Sequence, residues 1–205
     1  MNRYNFIAPA YDFLKRIVFG NSLEKASHHH LPNPTDHLNI LIVGGGTGKI
    51  LEQFGPAHTV HYVDTSSVMI DKAKKRKVRC TVYFHHCEFD SFETDESFDL
   101  ICFPFFLDQF NDGQIAIILS KSYNLLSPTG SVIITDFVPV YQLTNWWQKL
   151  LLKTVIVFFT ITTKHPVSKI FNIVDPAKRS NFQLVKKKSF VNGMVIASLW
   201  KKAEH

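Results

Sequence analysis

The sequence predicts an α/β fold, a doubly wound and mostly parallel sheet with a C-terminal antiparallel hairpin and an N-terminal helical cover. Three observations carry this. Short β-branched and apolar runs such as Ile40-Leu41-Ile42-Val43 alternate with helical stretches at the spacing of βαβ crossovers. A glycine cluster, Gly44-Gly45-Gly46-Thr47-Gly48, follows the first of those runs. The last third then changes character, with one long apolar helix and two strand-like runs around Val191-Asn192-Gly193.

Taken in order, residues 1–38 read as a helical leader of two helices or so, closed by the turn-rich Leu31-Pro32-Asn33-Pro34-Thr35-Asp36. Ile40–Val43 is apolar throughout, as a strand buried on both faces must be. A helix should follow the glycines, with Ile50, Leu51 and Phe54 on one face. A second strand runs from His58 to Val63 and ends at Asp64. Ser66-Ser67 opens a helix that turns Met69, Ile70 and Ala73 inward. Val78–Phe84, Phe98–Phe103 and Ser131–Thr135 are the next strands, with a helix over Gly113–Leu126. Asn145–Thr163 reads as a long helix, apolar on nearly every side and suited to a lid. Phe182–Ser189 and Val191–Trp200 form the hairpin. One domain over 1–205 is expected: a cap at 1–38, a ligand-binding core at 39–137, and a lid helix and hairpin at 138–205.

Composition narrows the classes. The 205 residues include three cysteines, Cys80, Cys87 and Cys102, in no CxxC spacing, so neither a disulfide framework nor a structural zinc site is expected. No secretory leader is readable at the start, and the longest uncharged apolar run, Thr154–Thr163, is ten residues, half a membrane span. A cytoplasmic protein is the expectation. Eighteen Phe suggest a Phe-rich core or a pocket for a flat apolar ligand. The net charge is +6, and from Leu143 onward eleven basic residues face two acidic ones. Such runs are mostly solvated faces, though they also suit a peripheral contact with anionic lipid. His28-His29-His30 and His85-His86-Cys87-Glu88 lack ligand spacing, so no metal is expected. Neither a Gly-x-Ser-x-Gly elbow nor a Walker loop is present.

The glycine loop carries the chemistry. Glycines let the backbone turn sharply and approach a ligand, while a helix start presents unpaired N–H groups. Asp64, twenty residues beyond Gly44, stands where a carboxylate accepts both hydroxyls of a ribose. A dinucleotide fingerprint needs G-x-G-x-x-G, and its third glycine would fall on Lys49. The spacing here is G-x-G-x-G.

That spacing with the downstream acid resembles class I S-adenosylmethionine-dependent methyltransferases, which have a Rossmann-like sheet. Val63-Asp64-Thr65-Ser66-Ser67-Val68-Met69-Ile70 is similar to that family's V-D-x-S-x-x-M-L segment. Glu88-Phe89-Asp90 and Ser97-Phe98-Asp99-Leu100-Ile101 resemble its segments at the third and fourth strands, and Gly130–Asp136 its fifth strand. The resemblance implies S-adenosylmethionine as cofactor, held by Gly44, Gly45 and Gly46, with Asp64 on the ribose. It implies contacts from Thr65, from Met69 on the adenine, from Glu88 and Phe89 on the adenine amino group, and from Phe103. Tyr4-Asn5-Phe6-Ile7-Ala8-Pro9-Ala10-Tyr11-Asp12 resembles the opening of the ubiquinone/menaquinone-biosynthesis C-methyltransferases, which carries Tyr11 to the methionine end.

One departure stands out. Family members carry Asp or Glu two residues before the first glycine, and this chain has Ile42, which implies a weakened methionine-end subsite that an Ile42→Asp change would tighten. The acceptor pocket should lie beyond the fourth and fifth strands, at Phe103-Pro104-Phe105-Phe106-Leu107-Asp108 and Asp136, closed by Trp146, Trp147, Phe158 and Phe159. Asp108 and His165 are the candidate general bases. The expected reaction is methyl transfer to a small apolar or aromatic acceptor. The alternatives are a non-catalytic cofactor-binding protein and a nicotinamide-dependent reductase. Nucleic acid is not an expected partner, because the chain has neither an Asn-Pro-Pro-Tyr motif nor a catalytic Cys-motif. Nothing in the sequence speaks to its oligomeric state.

Overall fold

The computed structural model describes residues 21–162, 170 and 172–203. Seven strands form one sheet: β1 (Asn39–Val43), β2 (Thr59–Asp64), β3 (Thr81–His86), β4 (Phe98–Pro104), β5 (Leu126–Phe137), β6 (Phe182–Phe190) and β7 (Val195–Lys202). Their order is β3-β2-β1-β4-β5-β7-β6, with β1 to β5 parallel and β7 antiparallel to both its neighbours. The chain winds outward from β1 in one direction through β2 and β3 and in the other through β4 and β5. The switch of direction leaves a crevice beyond the carboxyl ends of β1 and β4.

Side chains of β1 alternate between two cores. Leu41 and Val43 join Phe98, Ile101 and Phe103 under α3 (Asp112–Leu125), which contributes Ile115, Ile118 and Leu119. Ile40 and Ile42 join Ile50, Leu51, Phe54, Tyr62 and, from α2 (Ser67–Lys74), Ala73. A third cluster lies past β5, where α1 (Ser22–Ser27) and α4 (Trp146–Thr162) meet the β6–β7 hairpin through Leu23, Ala26, Leu152, Met194 and Val195. Among the described residues seven Phe are buried, including Phe54, Phe98 and Phe103, so much of the aromatic excess builds the cores.

Several expectations need revision. The helix after the glycines is only a 3-10 turn, Lys49–Gln53, because the left-handed Gly48 (φ 73°) precedes it and Phe54-Gly55 ends it. A Cβ on Gly55 would lie 1.8 Å from the Pro34 carbonyl oxygen, so the chain turns hard against that loop. The third strand begins at Thr81, not Val78, since pairing with β2 runs from Thr59↔Thr81 to Asp64↔His86. β5 starts at Leu126, five residues early, through a bulge opposite Phe98–Leu100. The hairpin turn occupies Val191–Gly193 and β7 begins only at Val195. The short helix α5 (Val174–Arg179) has no counterpart in the sequence reading. The leader before residue 21 lies outside the described residues. Among the described residues, no helix is long and apolar enough to cross a membrane.

Candidate functional site

The glycine loop leaves β1 through Gly44, whose positive φ of 69° is a backbone state that L side chains rarely adopt. Its N–H donates to the Val63 carbonyl, 2.9 Å, which ties the loop to the end of β2. A Cβ on Gly44 would fall 2.5 Å from the Phe106 ring and one on Gly45 2.5 Å from the Tyr62 ring. Gly46 (φ 61°) differs, because a Cβ there would meet nothing within 4 Å. That face of the loop is open.

Two side chains hold the loop from beneath. The Tyr62 hydroxyl donates to the Gly46 carbonyl, 2.7 Å, and Arg76 Nε donates to the Thr47 carbonyl, 2.7 Å. Arg76 is itself paired with Glu52 at 2.7 Å. Both carbonyls are thereby occupied and the loop is preorganised. The sequence reading named neither residue. Tyr62 has a readable signal, because an aromatic beside Ile42 in the sheet register must fill the space beneath a side-chain-free loop. Arg76, inside a basic run, has none.

Asp64 sits next to this loop. Its Oδ2 accepts the Gly46 N–H, 3.2 Å, and its Oδ1 the Ser66 N–H, 2.9 Å, so each oxygen keeps acceptor capacity for a further donor. Burial pushes the carboxyl up from its ordinary range, while the Ser66 and Gly46 amides and then the His86 imidazole pull it back. His86 Nε2 bonds the Thr65 carbonyl, 3.1 Å, and Thr65 itself is exposed. His85 points to the other face of β3, 3.2 Å from His61 Nδ1. Among the described residues, no three His, Cys, Asp or Glu side chains are placed to hold a metal.

The other expected contacts are spread unevenly. Met69 lies in the first turn of α2, 7% exposed, with its N–H capped by Ser66 Oγ. Glu88 is exposed just before the 3-10 turn Phe89–Ser91, and Phe89 is buried with its carbonyl held by Lys121 Nζ, 2.8 Å. Phe103 corrects the expectation for its ring. It is 0% exposed between Phe89 and Phe106, so it presents no side-chain surface to a ligand. Ile42, also 0% exposed, packs with Leu51 and Tyr62, so an acid there would enter an apolar core rather than a ligand subsite. Trp146 and Trp147 are 76% and 41% exposed. Tyr11, His165 and the side chains of Phe158 and Phe159 lie outside the described residues.

At the carboxyl ends of β4 and β5 two carboxyl groups are almost wholly buried, Asp108 in the turn after β4 at 6% and Asp136 in the last residues of β5 at 2% exposure. Asp136 Oδ2 accepts the Leu107 N–H, 3.2 Å, whereas Oδ1 of each residue has no hydrogen-bond partner among the described residues. Burial pushes Asp108 up to about 7. Asp136 is raised well above its ordinary value by burial and then by Asp108, against the amides of residues 106–108. Two adjacent buried carboxylates repel each other, so the pair retains a proton near neutrality.

Donors and acceptors at the glycine loop fit a nucleoside with an extended tail: an open backbone face, a carboxylate with spare lone pairs, and exposed Thr65 and Glu88 at the ends of β2 and β3. Comparison with known proteins agrees. Residues 40–130 match the methyltransferase-domain family. No curated protein matches the chain. Similar solved structures include a DhpI–SAH complex, 15% identical with a TM-score of 0.70, where the match covers 98% of this chain and 94% of that one. A Burkholderia thailandensis 1,6-didemethyltoxoflavin-N1-methyltransferase with bound S-adenosylhomocysteine is 17% identical with a TM-score of 0.66, covering 98% and 87%. The mitomycin 7-O-methyltransferase MmcR is 15% identical with a TM-score of 0.68; the match covers 96% of this chain, which spans 58% of MmcR. The chain therefore has the Rossmann-like fold seen in methyltransferases, and its residues 40–130 match the methyltransferase-domain family.

Proposed function

We propose that the protein transfers a methyl group from S-adenosylmethionine to a small apolar or aromatic acceptor. The observation that carries this is Asp64, with one backbone N–H on each oxygen and spare lone pairs beside the open Gly46. In this reading Asp64 accepts the ribose hydroxyls and the loop Gly44–Gly46 lies along the ligand's tail. Thr65, Met69, Glu88 and Phe89 border the base. Phe103 contributes its backbone, and Tyr11 the methionine end. When bound, the cofactor supplies an electrophilic methyl on a sulfonium. The chain's own work is to align the acceptor, exclude water and hold the released proton. Asp108 and Asp136 are the groups for that last task, at the edge where open α/β sheets take their ligands. His165 keeps its place as a second candidate base.

Phe105, Phe106 and Phe110 follow the carboxyl end of β4, partly buried against the first and third cores, and support an apolar acceptor. The structurally similar proteins include an O- and an N-methyltransferase, in keeping with either nucleophile. The closer likeness to ubiquinone/menaquinone-biosynthesis enzymes rests on Tyr4–Asp12 alone. The alternative is cofactor binding without transfer.

The test is calorimetry with S-adenosylmethionine, S-adenosylhomocysteine and NADH, followed by a screen of phenolic and quinol acceptors. Binding of the first two alone is expected. NADH binding would revive the reductase, and binding without any methylated product would favour the second reading.

A further inference from the structure

Among the described side chains of helix α4, those of one face anchor its first turns. Leu152 is fully buried against the third core cluster, and Gln148 Nε2 donates to the Asn192 carbonyl, 2.8 Å. The opposite face of its first turns presents Trp146, Trp147 and Leu150, the last 59% exposed, and Tyr141 stands beside them in the preceding 3-10 turn at 64%. Isolated exposed apolar residues are ordinary on a protein surface, but four large ones within ten positions form a patch. Along the sequence, the charge of this stretch has one sign. No acidic residue occurs between Asp136 and Asp175, while Lys149, Lys153, Lys164 and Lys169 do. Lys153 and Thr154 are exposed on the same side of the helix.

We propose that this face of α4, with Tyr141, docks on an anionic membrane surface. Trp and Tyr favour the headgroup level of a bilayer, and lysines beside them add attraction to anionic lipid. A second copy of this chain fits less well, because it would bring the same lysines together with no acid nearby to pair them. The helix follows the carboxyl end of β5, the edge that also carries the glycine loop after β1 and Asp64 at the end of β2. Docking there turns the crevice toward the bilayer, where an apolar acceptor would be dissolved. The docking itself does not rest on the methyl-transfer reading.

The full chain would be sedimented with vesicles of phosphatidylcholine alone and of phosphatidylcholine carrying a minority of phosphatidylglycerol. Sedimentation with the anionic vesicles only, weakened by salt, is the expected result. Tryptophan emission should move to the blue, since Trp146 and Trp147 enter the interface while Trp200, 2% exposed, reports no change. Trp146→Ser with Leu150→Ser should lower the partition coefficient at least tenfold, and Lys149→Gln or Lys153→Gln about fivefold each. Each variant should keep its melting temperature and its affinity for S-adenosylhomocysteine, so loss of docking is separable from failure of the cofactor site. The proposal is overturned by absence of sedimentation with either vesicle, or by equal sedimentation of wild type and variants. A dimer in solution that Trp146→Ser dissolves would overturn it as well.

Discussion

Asp64 illustrates how one side chain can serve two ends. Its oxygens anchor the Gly46 and Ser66 amides, and their remaining lone pairs face the open side of the loop. Hydrogen bonds to a charged group are worth about 1.5–3 kcal/mol, so Asp64→Ala should raise the dissociation constant for S-adenosylhomocysteine tenfold or more, read by calorimetry. Beneath the loop, Tyr62→Phe removes only the hydroxyl bond to Gly46. That loss, about 0.5–1.5 kcal/mol, should weaken the same ligand about two- to tenfold and speed hydrogen exchange of the loop amides. Ile42 behaves oppositely to its reading from sequence. Since it is wholly buried in an apolar cluster, Ile42→Asp should lower unfolding stability by roughly 2–5 kcal/mol in denaturant titration and leave binding no tighter.

Elements form where local chemistry and packing agree. Helix α3 starts at a capping box, in which Asn111 Oδ1 accepts the Gln114 N–H and Gln114 Oε1 accepts the Asn111 N–H, both 3.0 Å. Asn111→Ala should cost about 0.5–2 kcal/mol in chemical denaturation without changing affinity for S-adenosylhomocysteine, because the cap is exposed and the cofactor reading does not involve it. The helix was legible to within one residue because apolar periodicity and an N-terminal cap coincide there. The segment after Gly48 was misread, because Ile50, Leu51 and Phe54 match a helical stripe while the turn at Gly55, set by contact with Pro34, leaves room for one 3-10 turn. β3 slid three residues because strand register is settled by its neighbour, and Val78-Arg79-Cys80 continues the same apolar–polar alternation as the residues that pair.

Across the whole molecule, the buried Asp108–Asp136 pair ties stability to pH. Both carboxyls are raised above their unfolded value of 3.8. Between that value and the folded one, the native state holds protons that the unfolded chain releases, so stability falls as pH rises. This stabilisation is complete below about pH 4 and, for Asp108, is lost through about pH 7. Urea unfolding should show a slope of up to about 1.4 kcal/mol per pH unit in that window. Asp108→Asn should flatten the slope and leave the protein more stable than wild type above it. A wild-type profile flat from pH 4 to 7 would remove the proton-holding pair.

The succession of strands and helices along the chain, the glycine loop and the placing of Asp64 at the end of the next strand follow from the sequence by itself. Each depends on local periodicity and on a spacing of twenty residues that one βαβ unit must bridge. Only the tertiary structure decided what lies beneath and beyond the loop. Tyr62, Arg76 and the Asp108–Asp136 pair act through contacts between residues up to 29 positions apart, and no local pattern records which side chains will meet. The same holds for burial. Phe103 and Trp146 are both large aromatics in apolar surroundings, yet packing of neighbouring elements encloses one and leaves the other 76% exposed, because enclosure depends on what the rest of the chain brings to that place.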